Sequence, residues 1–213
     1  MRISQLSAES GVPIPTIKYY LREGLLPAGE QTAATRAEYG PSHLRRLRLI
    51  RALLEVGRLP VAAIRRVIEA VEDEDLPVHT MLGTAHYALG AAPEPDAGDD
   101  DLREARQTVD ELIAGLGWTV TPLAPTRDEL ARALVTLKRL GMPAGQADLL
   151  PYAASAMRLA HDHEMSRIPF DGPREVAVET LVICTVLYGR VLDVFRRLAQ
   201  ESESARILGA TAT

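Results

Sequence analysis

The sequence predicts a mainly helical protein with a loop or small β ribbon near its N-terminus. Apolar residues recur at intervals of three and four along most of the 213 residues, which is the spacing of one face of an α-helix. Glycine and proline stand at the ends of these periodic segments and divide them into separate helices. Only 4% of the residues are aromatic, so Leu, Val, Ile and Ala have to build the core.

Residues 1–75 are predicted to form one domain of short helices separated by tight turns. Gly11 and Gly24 stand where helices end and a left-handed turn residue is expected, and Pro15 suits the first turn of a helix. The small, polar and turn-forming residues of 27–40 predict the loop or ribbon. Helices are expected at about 4–10, 15–23, 42–57 and 61–71.

The rest of the chain divides into a connector and a second helical domain. Residues 76–101 hold a short helix followed by an acidic linker that is rich in proline and glycine. Residues 102–213 are expected to form a helical domain whose last residues, 204–213, fray. Its helices are predicted at about 102–116, 127–140, 144–166 and 173–200.

The net charge of −5 hides a split between the two ends of the chain. Residues 1–70 carry 11 Lys and Arg against 6 Asp and Glu, whereas residues 71–213 carry 13 against 23. A basic end on an acidic protein is typical of a nucleic-acid-binding segment. A basic face that is merely solvated explains the composition equally well.

Several classes of protein are disfavoured. The lone cysteine, Cys184, provides neither an internal disulfide nor a cysteine-based metal site, and its apolar helix predicts a buried structural thiol. No apolar run approaches the ~20 residues of a membrane span, and the N-terminus has no signal-peptide core, so we expect a cytoplasmic protein without membrane contact. The sequence lacks the motifs of a hydrolase, a phosphate loop or a zinc protease, which predicts neither enzymatic activity nor a cofactor.

The first two helices have the features of a helix-turn-helix. Ser7 is small enough for the two helices to cross closely, and Gly11 tolerates the turn between them. Apolar anchors flank the turn at Leu6, Val12, Ile17 and Tyr20. This pattern alone has low specificity because many helical hairpins share it.

A longer string of motifs is more specific. VPIPTIKYYLREGLLP at residues 12–27 is followed by a wing-sized loop, by Tyr39, and by HLRRLRLIRALLEVGRLPVAAIRRVI. In this order the segments closely resemble the MerR family of winged helix-turn-helix transcription regulators, over about residues 1–72. The resemblance implies an all-α fold with a small β wing: an N-terminal winged helix-turn-helix domain, here followed by an all-helical C-terminal domain.

The resemblance implies that Thr16, Lys18 and Tyr19 face DNA. Lys18 and Arg22 can neutralise phosphates, and the Thr and Tyr hydroxyl groups can position the backbone. Tyr20 is expected to pack inward, with a phosphate contact as the alternative. The family's wing has its arginine one position later than Arg36, so a DNA contact by this residue is an expectation that departs from the pattern.

Further basic residues follow the wing. His43, with the free amides at the start of its helix, is expected to hold a phosphate, and the alternative is that His43 only caps the helix. Arg45, Arg48 and Arg51 form one stripe, and Arg45 is predicted to contact DNA. Seven arginines follow the wing, of which part are expected to form a solvated face and some of the rest to touch flanking phosphates: Arg45, Arg46, Arg48, Arg51, Arg58, Arg65 and Arg66. Pro13 and Leu21 stand where the family usually has Ser and Glu, which could alter the preferred half-site.

The resemblance also implies the partners. These are a second copy of the chain, a palindromic operator of double-stranded DNA in an overlong promoter spacer, RNA polymerase at that promoter, and a small-molecule effector. The helix at 173–200, apolar on nearly all sides, is predicted to form the dimer surface, with a plain core helix as the alternative. The operator, the effector and the choice between activation and repression stay open.

An effector pocket is predicted between the C-terminal helices. Its candidate lining is aromatic and apolar, although the same residues would also suit a core: Trp118, Tyr152, Met157, Phe170, Leu187 and Tyr188. A metal site is not expected, because His161 and Glu164 share one helical face while His163 points elsewhere. Two other functions are alternatives: a ligand-independent architectural or excisionase-like DNA binder, and a small-molecule-binding protein whose winged helix contacts proteins.

Overall fold

The structure, a computed structural model, describes residues 1–33, 36–90 and 99–209 of the chain. Its described part is mainly helical with one antiparallel sheet of two strands, which confirms the predicted fold class. The chain forms two compact units. Unit 1 consists of Met1–Leu82 together with Ile168–Thr213, and unit 2 consists of Gly83–Arg167.

The predicted elements of the N-terminal part are confirmed to within a few residues. They are α1 Ile3–Ser10, α2 Ile14–Arg22, β1 Glu30–Ala33, β2 Arg36–Glu38, α3 Pro41–Arg51, α4 Val61–Glu72 and α5 Val78–Leu89. The helix α3 continues as a wider turn through Ala52–Val56. Gly11 has φ 69° and donates its N–H to the carbonyl of Ser7, so the predicted left-handed turn between α1 and α2 is present.

The core of unit 1 includes a helix from near the other end of the chain. The helix α9, Arg174–Ile183, packs on α3 and on the turn that follows it. Its buried side chains are Ala177, Val178, Leu181 and Val182, all 1% exposed or less. The helix α3 and the turn after it contribute the buried residues Leu47, Ile50 and Leu53 to the same core. The grouping therefore differs from the predicted division at 75 and 102, because periodicity indicates which face is apolar but not which partner covers it.

The predicted helix 173–200 divides into two different halves. The first half, α9, is a core helix, and it continues through Cys184–Tyr188 into α10, Gly189–Leu208. Cys184 is 3% exposed, so the predicted buried thiol is confirmed. No residue of α10 is buried. The fraying expected from residue 204 is wrong as far as Leu208, where the helix ends at Gly209 with φ 64°, while 210–213 lie outside the described residues.

Arg174 ties the start of α9 to the end of α4. Its guanidinium donates to the carbonyls of Ala70, Val71 and Leu76, each at 3.0 Å. Carbonyls at the end of a helix have no partner within that helix, and a cation there also opposes the negative end of the helix dipole. Arg174 thus caps α4 from a residue that lies about a hundred positions later in the sequence.

We expect Arg174→Ala to destabilise unit 1 by about 2–4 kcal/mol, because three carbonyls lose a charged donor at once. The measurement is urea unfolding followed by circular dichroism. Arg190→Ala removes an exposed arginine of α10 and serves as the control with little expected change. Equal stability of the two variants would show that water replaces Arg174 at the end of α4 without cost.

Unit 2 is built on a pair of helices. These are α6, Asp100–Gly115, and α7, Pro125–Arg139, which pack closely on each other. The apolar cluster between the two helices contains Leu102, Ala105, Val109, Ile113, Ala131, Leu134 and Val135. A third helix, α8, runs over Gln146–Leu159 and has no buried residue. Tighter and wider turns continue it to Arg167.

The imidazole of His86 on α5 is expected to make the stability depend on pH. Burial lowers the pKa of His86 below its usual value, because the charged ring loses solvation in the folded chain. As the pH falls through about 6.5, the unfolded chain takes up a proton that the folded chain does not, so stability decreases. We expect His86→Gln to reduce the loss of unfolding free energy between pH 7.5 and 5.5, measured by urea titration. The same loss in both proteins would assign the pH dependence to other groups.

Within the described ranges, no helix combines the length and apolar character needed to cross a bilayer. Most of the predicted linker at 90–101 falls on 91–98, which lie outside the described residues.

Candidate nucleic-acid interface

The helix α2 is amphipathic in the way that the helix-turn-helix prediction requires. Ile17 and Tyr20 point inward and are 0% and 7% exposed. Lys18, Tyr19 and Arg22 are exposed on the other side of the helix. Lys18 and Arg22 are four positions apart and therefore neighbours on one face. The exposed face of the helix thus carries two cations and a phenol that can contact a binding partner.

Lys18 and Arg22 are free to bind anions. Neither forms an ion pair within the described part of the chain, in contrast to the basic residues on α3 and α4 that have acidic or carbonyl partners. Arg65 of α4, for example, donates to the carbonyl of Glu23 at 3.0 Å. Because no acidic side chain neutralises these two exposed cations, their full charge can attract an external phosphate.

Two arginines fix the helix-turn-helix from opposite ends. Arg51 of α3 donates to the carbonyl of Ser10 at 3.1 Å, just before the turn, and forms an ion pair with Glu55 at 3.0 Å. Arg65 caps the C-terminal end of α2 through Glu23. Within the turn, the hydroxyl of Ser7 donates to the carbonyl of Val12 at 2.6 Å. The orientation of α2 is therefore set by α3 and α4.

Sequence reasoning missed both of these arginines as positioning residues. Their partners are main-chain carbonyls 41 and 42 residues away, and no local spacing signals such a contact. The expected Arg45–Arg48–Arg51 stripe is accordingly not a uniform solvated face. Arg51 is partly exposed but bound to Ser10 and Glu55, Arg45 is partly buried with an unpartnered Nε, and Arg48 is exposed.

Tyr20 packs inward as predicted. Its ring lies 5.9 Å from that of Tyr19, and burial raises the pKa of its phenol above the usual value. The raised pKa keeps the phenol neutral, which is the form that a buried position favours. The phosphate contact that was its alternative is therefore disfavoured.

His43 joins the two ends of the wing. Its Nδ1 accepts the N–H of Gly40 at 3.1 Å, its Nε2 lies 3.4 Å from the carbonyl of Ala28, and its ring meets that of Tyr39 edge to face at 5.1 Å. The side chain is buried at 8% exposure. This geometry favours the helix-capping alternative, because both ring nitrogens already have partners within the chain.

The wing itself is anchored to the N-terminus. The amino group of Met1 donates to the carbonyl of Tyr39 at 2.8 Å, and the N–H of Tyr39 donates back to the carbonyl of Met1 at 2.8 Å. A Cβ at Gly29 would lie 2.7 Å from the carbonyl oxygen of Glu38, so this position requires glycine. Arg36 lies in β2, but its side chain falls outside what the structure describes, and its DNA contact stays a prediction.

The candidate ligand residues divide between the two units. Trp118 and Tyr152 line a cavity in unit 2, and Trp118 also lines a second one together with Met157. The other three belong to unit 1 and are between 42% and 48% exposed: Phe170, Leu187 and Tyr188. A pocket within unit 2 is therefore lined by only half of the predicted set.

The histidine cluster does not form a metal site in the described residues. His161, His163 and Glu164 lie on the turn Ala160–Glu164 at the end of α8, and both histidines are exposed. The described ranges contain no group of three His, Cys, Asp or Glu side chains placed to share an ion.

The winged helix-turn-helix with its unpaired cations defines the class of a DNA-binding regulator. Comparison with known proteins agrees: residues 1–71 match the model of the MerR HTH family of regulatory proteins. The whole chain is 39% identical to a crystal structure of the candidate transcriptional regulator SCO5550 from Streptomyces coelicolor A3(2), with all of both chains covered and a TM-score of 0.77. No curated protein matches the chain significantly. The chain belongs to the MerR family of helix-turn-helix regulators.

Proposed function

We propose that the chain is a homodimeric transcription regulator that binds a palindromic operator inside an overlong promoter spacer and distorts it under the control of a small-molecule effector. The observation that carries the proposal is the pair of unpaired cations, Lys18 and Arg22, on the exposed face of α2. Distortion of the spacer would realign the promoter elements for RNA polymerase. The effector would shift the balance between competent and non-competent states.

In this proposal α2 enters the major groove. Lys18, Tyr19 and Arg22 are exposed along its outer side, and Thr16 is partly exposed. The cations would neutralise phosphates, and the hydroxyl groups would fix the register of the helix. Arg36 and Arg45 would contact the backbone beside the groove. His43 would support the wing through its internal hydrogen bonds instead of binding a phosphate itself.

The proposed dimer surface is α10 together with the end of the turn Cys184–Tyr188 that precedes it. Leu187, Val191, Val194 and Leu198 follow one another at intervals of four, three and four, which is the spacing of a helix-pairing seam. These four and their neighbours Tyr188, Leu192 and Phe195 are between 42% and 63% exposed. A helix of 20 residues is ~30 Å long, and a contiguous row of exposed apolar side chains along it is typical of an interaction surface.

The test of the proposed function is DNA binding at two salt concentrations. Sites are first selected from a random-sequence library with the purified full chain, and the DNA upstream of its own gene is tested beside them in a gel-shift assay. A palindromic consensus bound in a salt-dependent manner would support the proposal. Failure to select any sequence would overturn it and favour a winged helix that contacts proteins.

A further inference from the structure

The helices of unit 2 leave an apolar cavity between α8 and the α6–α7 pair. Its volume is about 300 Å³, at the lower end of the range for small-molecule sites. Val109, Leu112 and Ile113 of α6 line one side, and Leu149, Tyr152 and Ala153 of α8 line the other. We propose that this cavity binds a small, uncharged aromatic molecule that carries one hydrogen-bond acceptor.

The position of α8 supports an occupant in the gap. None of its residues is buried, although Tyr152 lines this cavity and Met157 lines the adjacent one, and the two side chains are 65% and 44% exposed. Apolar side chains that face a gap gain contacts only when something fills it. A bound ring would complete the packing that α6 and α7 already have with each other.

Trp118 gives the site its aromatic character. Its indole lines this cavity and also an adjacent one of about 440 Å³, and Leu116 and Ala153 line both of them. The two cavities thus adjoin at the indole. A flat aromatic molecule can stack on such a surface or meet it edge to face, and either arrangement adds to the gain from burial alone.

The polar lining selects against charge. Arg127 donates to the carbonyls of Val120 and Thr121 at 2.9 and 3.1 Å and forms an ion pair with Asp110. Three of its five N–H groups are used and its charge is already balanced. It can therefore offer an N–H to a carbonyl or hydroxyl oxygen, whereas a ligand carboxylate would compete with Asp110.

This inference rests on the proposed function in one respect, which is that the ligand of the cavity is the effector of the regulator. Binding itself is measured through Trp118, the single tryptophan of the chain, in the full-length protein. Two probes share one ring system, the neutral 2-acetylnaphthalene and the anionic 2-naphthoate. We expect saturable quenching by the ketone with a dissociation constant at least tenfold lower than that of the carboxylate.

A variant that fills the cavity with a larger side chain tests the site, and the same substitution elsewhere is its matched control. Ala153→Leu places a larger side chain where both cavities meet, and Ala133→Leu makes the same change on an exposed position of α7. We expect the first variant to weaken binding of the ketone at least tenfold and the second to leave it unchanged, with helix content equal in both by circular dichroism.

Three results would overturn the inference. They are the absence of saturable quenching, equal affinity for the two probes, and unchanged binding by Ala153→Leu. A change in oligomeric state by that variant without a change in probe binding would assign the gap to a second copy and would also overturn it. DNA selection with the wild-type protein separates the two proposals. If DNA sites are selected but the probes do not quench the fluorescence of Trp118, only the cavity proposal fails. If the probes quench but no DNA sites are selected, only the proposed regulator function fails.

Discussion

Replacing both Lys18 and Arg22 by alanine is expected to weaken DNA binding by roughly tenfold or more at physiological salt and to affect all sequences alike. Each cation that neutralises a phosphate adds about 0.9 to the slope of log affinity against log salt, so the double variant should lower that slope by about 1.8. Fluorescence anisotropy with a selected operator, at four or five salt concentrations, measures both quantities. The two side chains are exposed and unpaired, so the fold should not change.

The control removes the same net charge elsewhere. Arg103 and Arg139 are exposed residues of unit 2 that form ion pairs with Asp100 and Asp99. Alanine at both should leave affinity and slope close to those of the unmodified protein. An equal effect of the two double variants would mean that net charge, and not α2, determines binding. Unchanged affinity of the α2 variant would contradict the assignment of the recognition helix.

Introducing glutamate at Val191 and Leu198 is expected to convert the proposed dimer into monomers. The two residues are seven positions apart on one face of α10, about half exposed, and a second helix packed on them would have to bury both carboxylates. Light scattering should give the mass of two chains for the unmodified protein and of one chain for the variant. Binding to a palindromic operator should fall by more than tenfold, since two linked half-site contacts become independent.

The opposite face of the same helix supplies the control. Gln200→Glu and Ser204→Glu add the same charge to α10 on residues that lie away from the Val191–Leu198 face. This variant should remain dimeric. Two monomeric variants would point to a general charge effect, and two dimeric variants would place the interface on another surface.

The helices of this protein are predictable from sequence because their signals are local. Gly11 shows a positive φ where a left-handed turn was expected. The buried residues Leu102, Ala105 and Val109 of α6 follow the spacing of three and four that predicts a helix. The packing of α9 on α3 is not predictable in the same way. The sequence of an apolar helix face indicates that the face is buried, but it does not indicate which other apolar face of matching length packs on it.

The site was predictable to a similar extent. The exposed cations of α2 follow from their position on an amphipathic helix, and Tyr20 from its phase opposite them. The carbonyl contacts of Arg51, Arg65 and Arg174 were not predictable, since a carbonyl is present at every residue and carries no sequence signal. For His43, the residue type suited both capping and phosphate binding, and only the positions of Gly40 and Ala28 favour one of them.

The placement of α9 has a consequence for synthesis on the ribosome. The DNA-binding segment is translated first, but the helix that covers α3 emerges only after the whole of Gly83–Arg167. At roughly 5–20 residues per second, that delay lasts on the order of ten seconds, during which the apolar side of α3 lacks its cover. We infer that the nascent domain is open to chaperones in this interval.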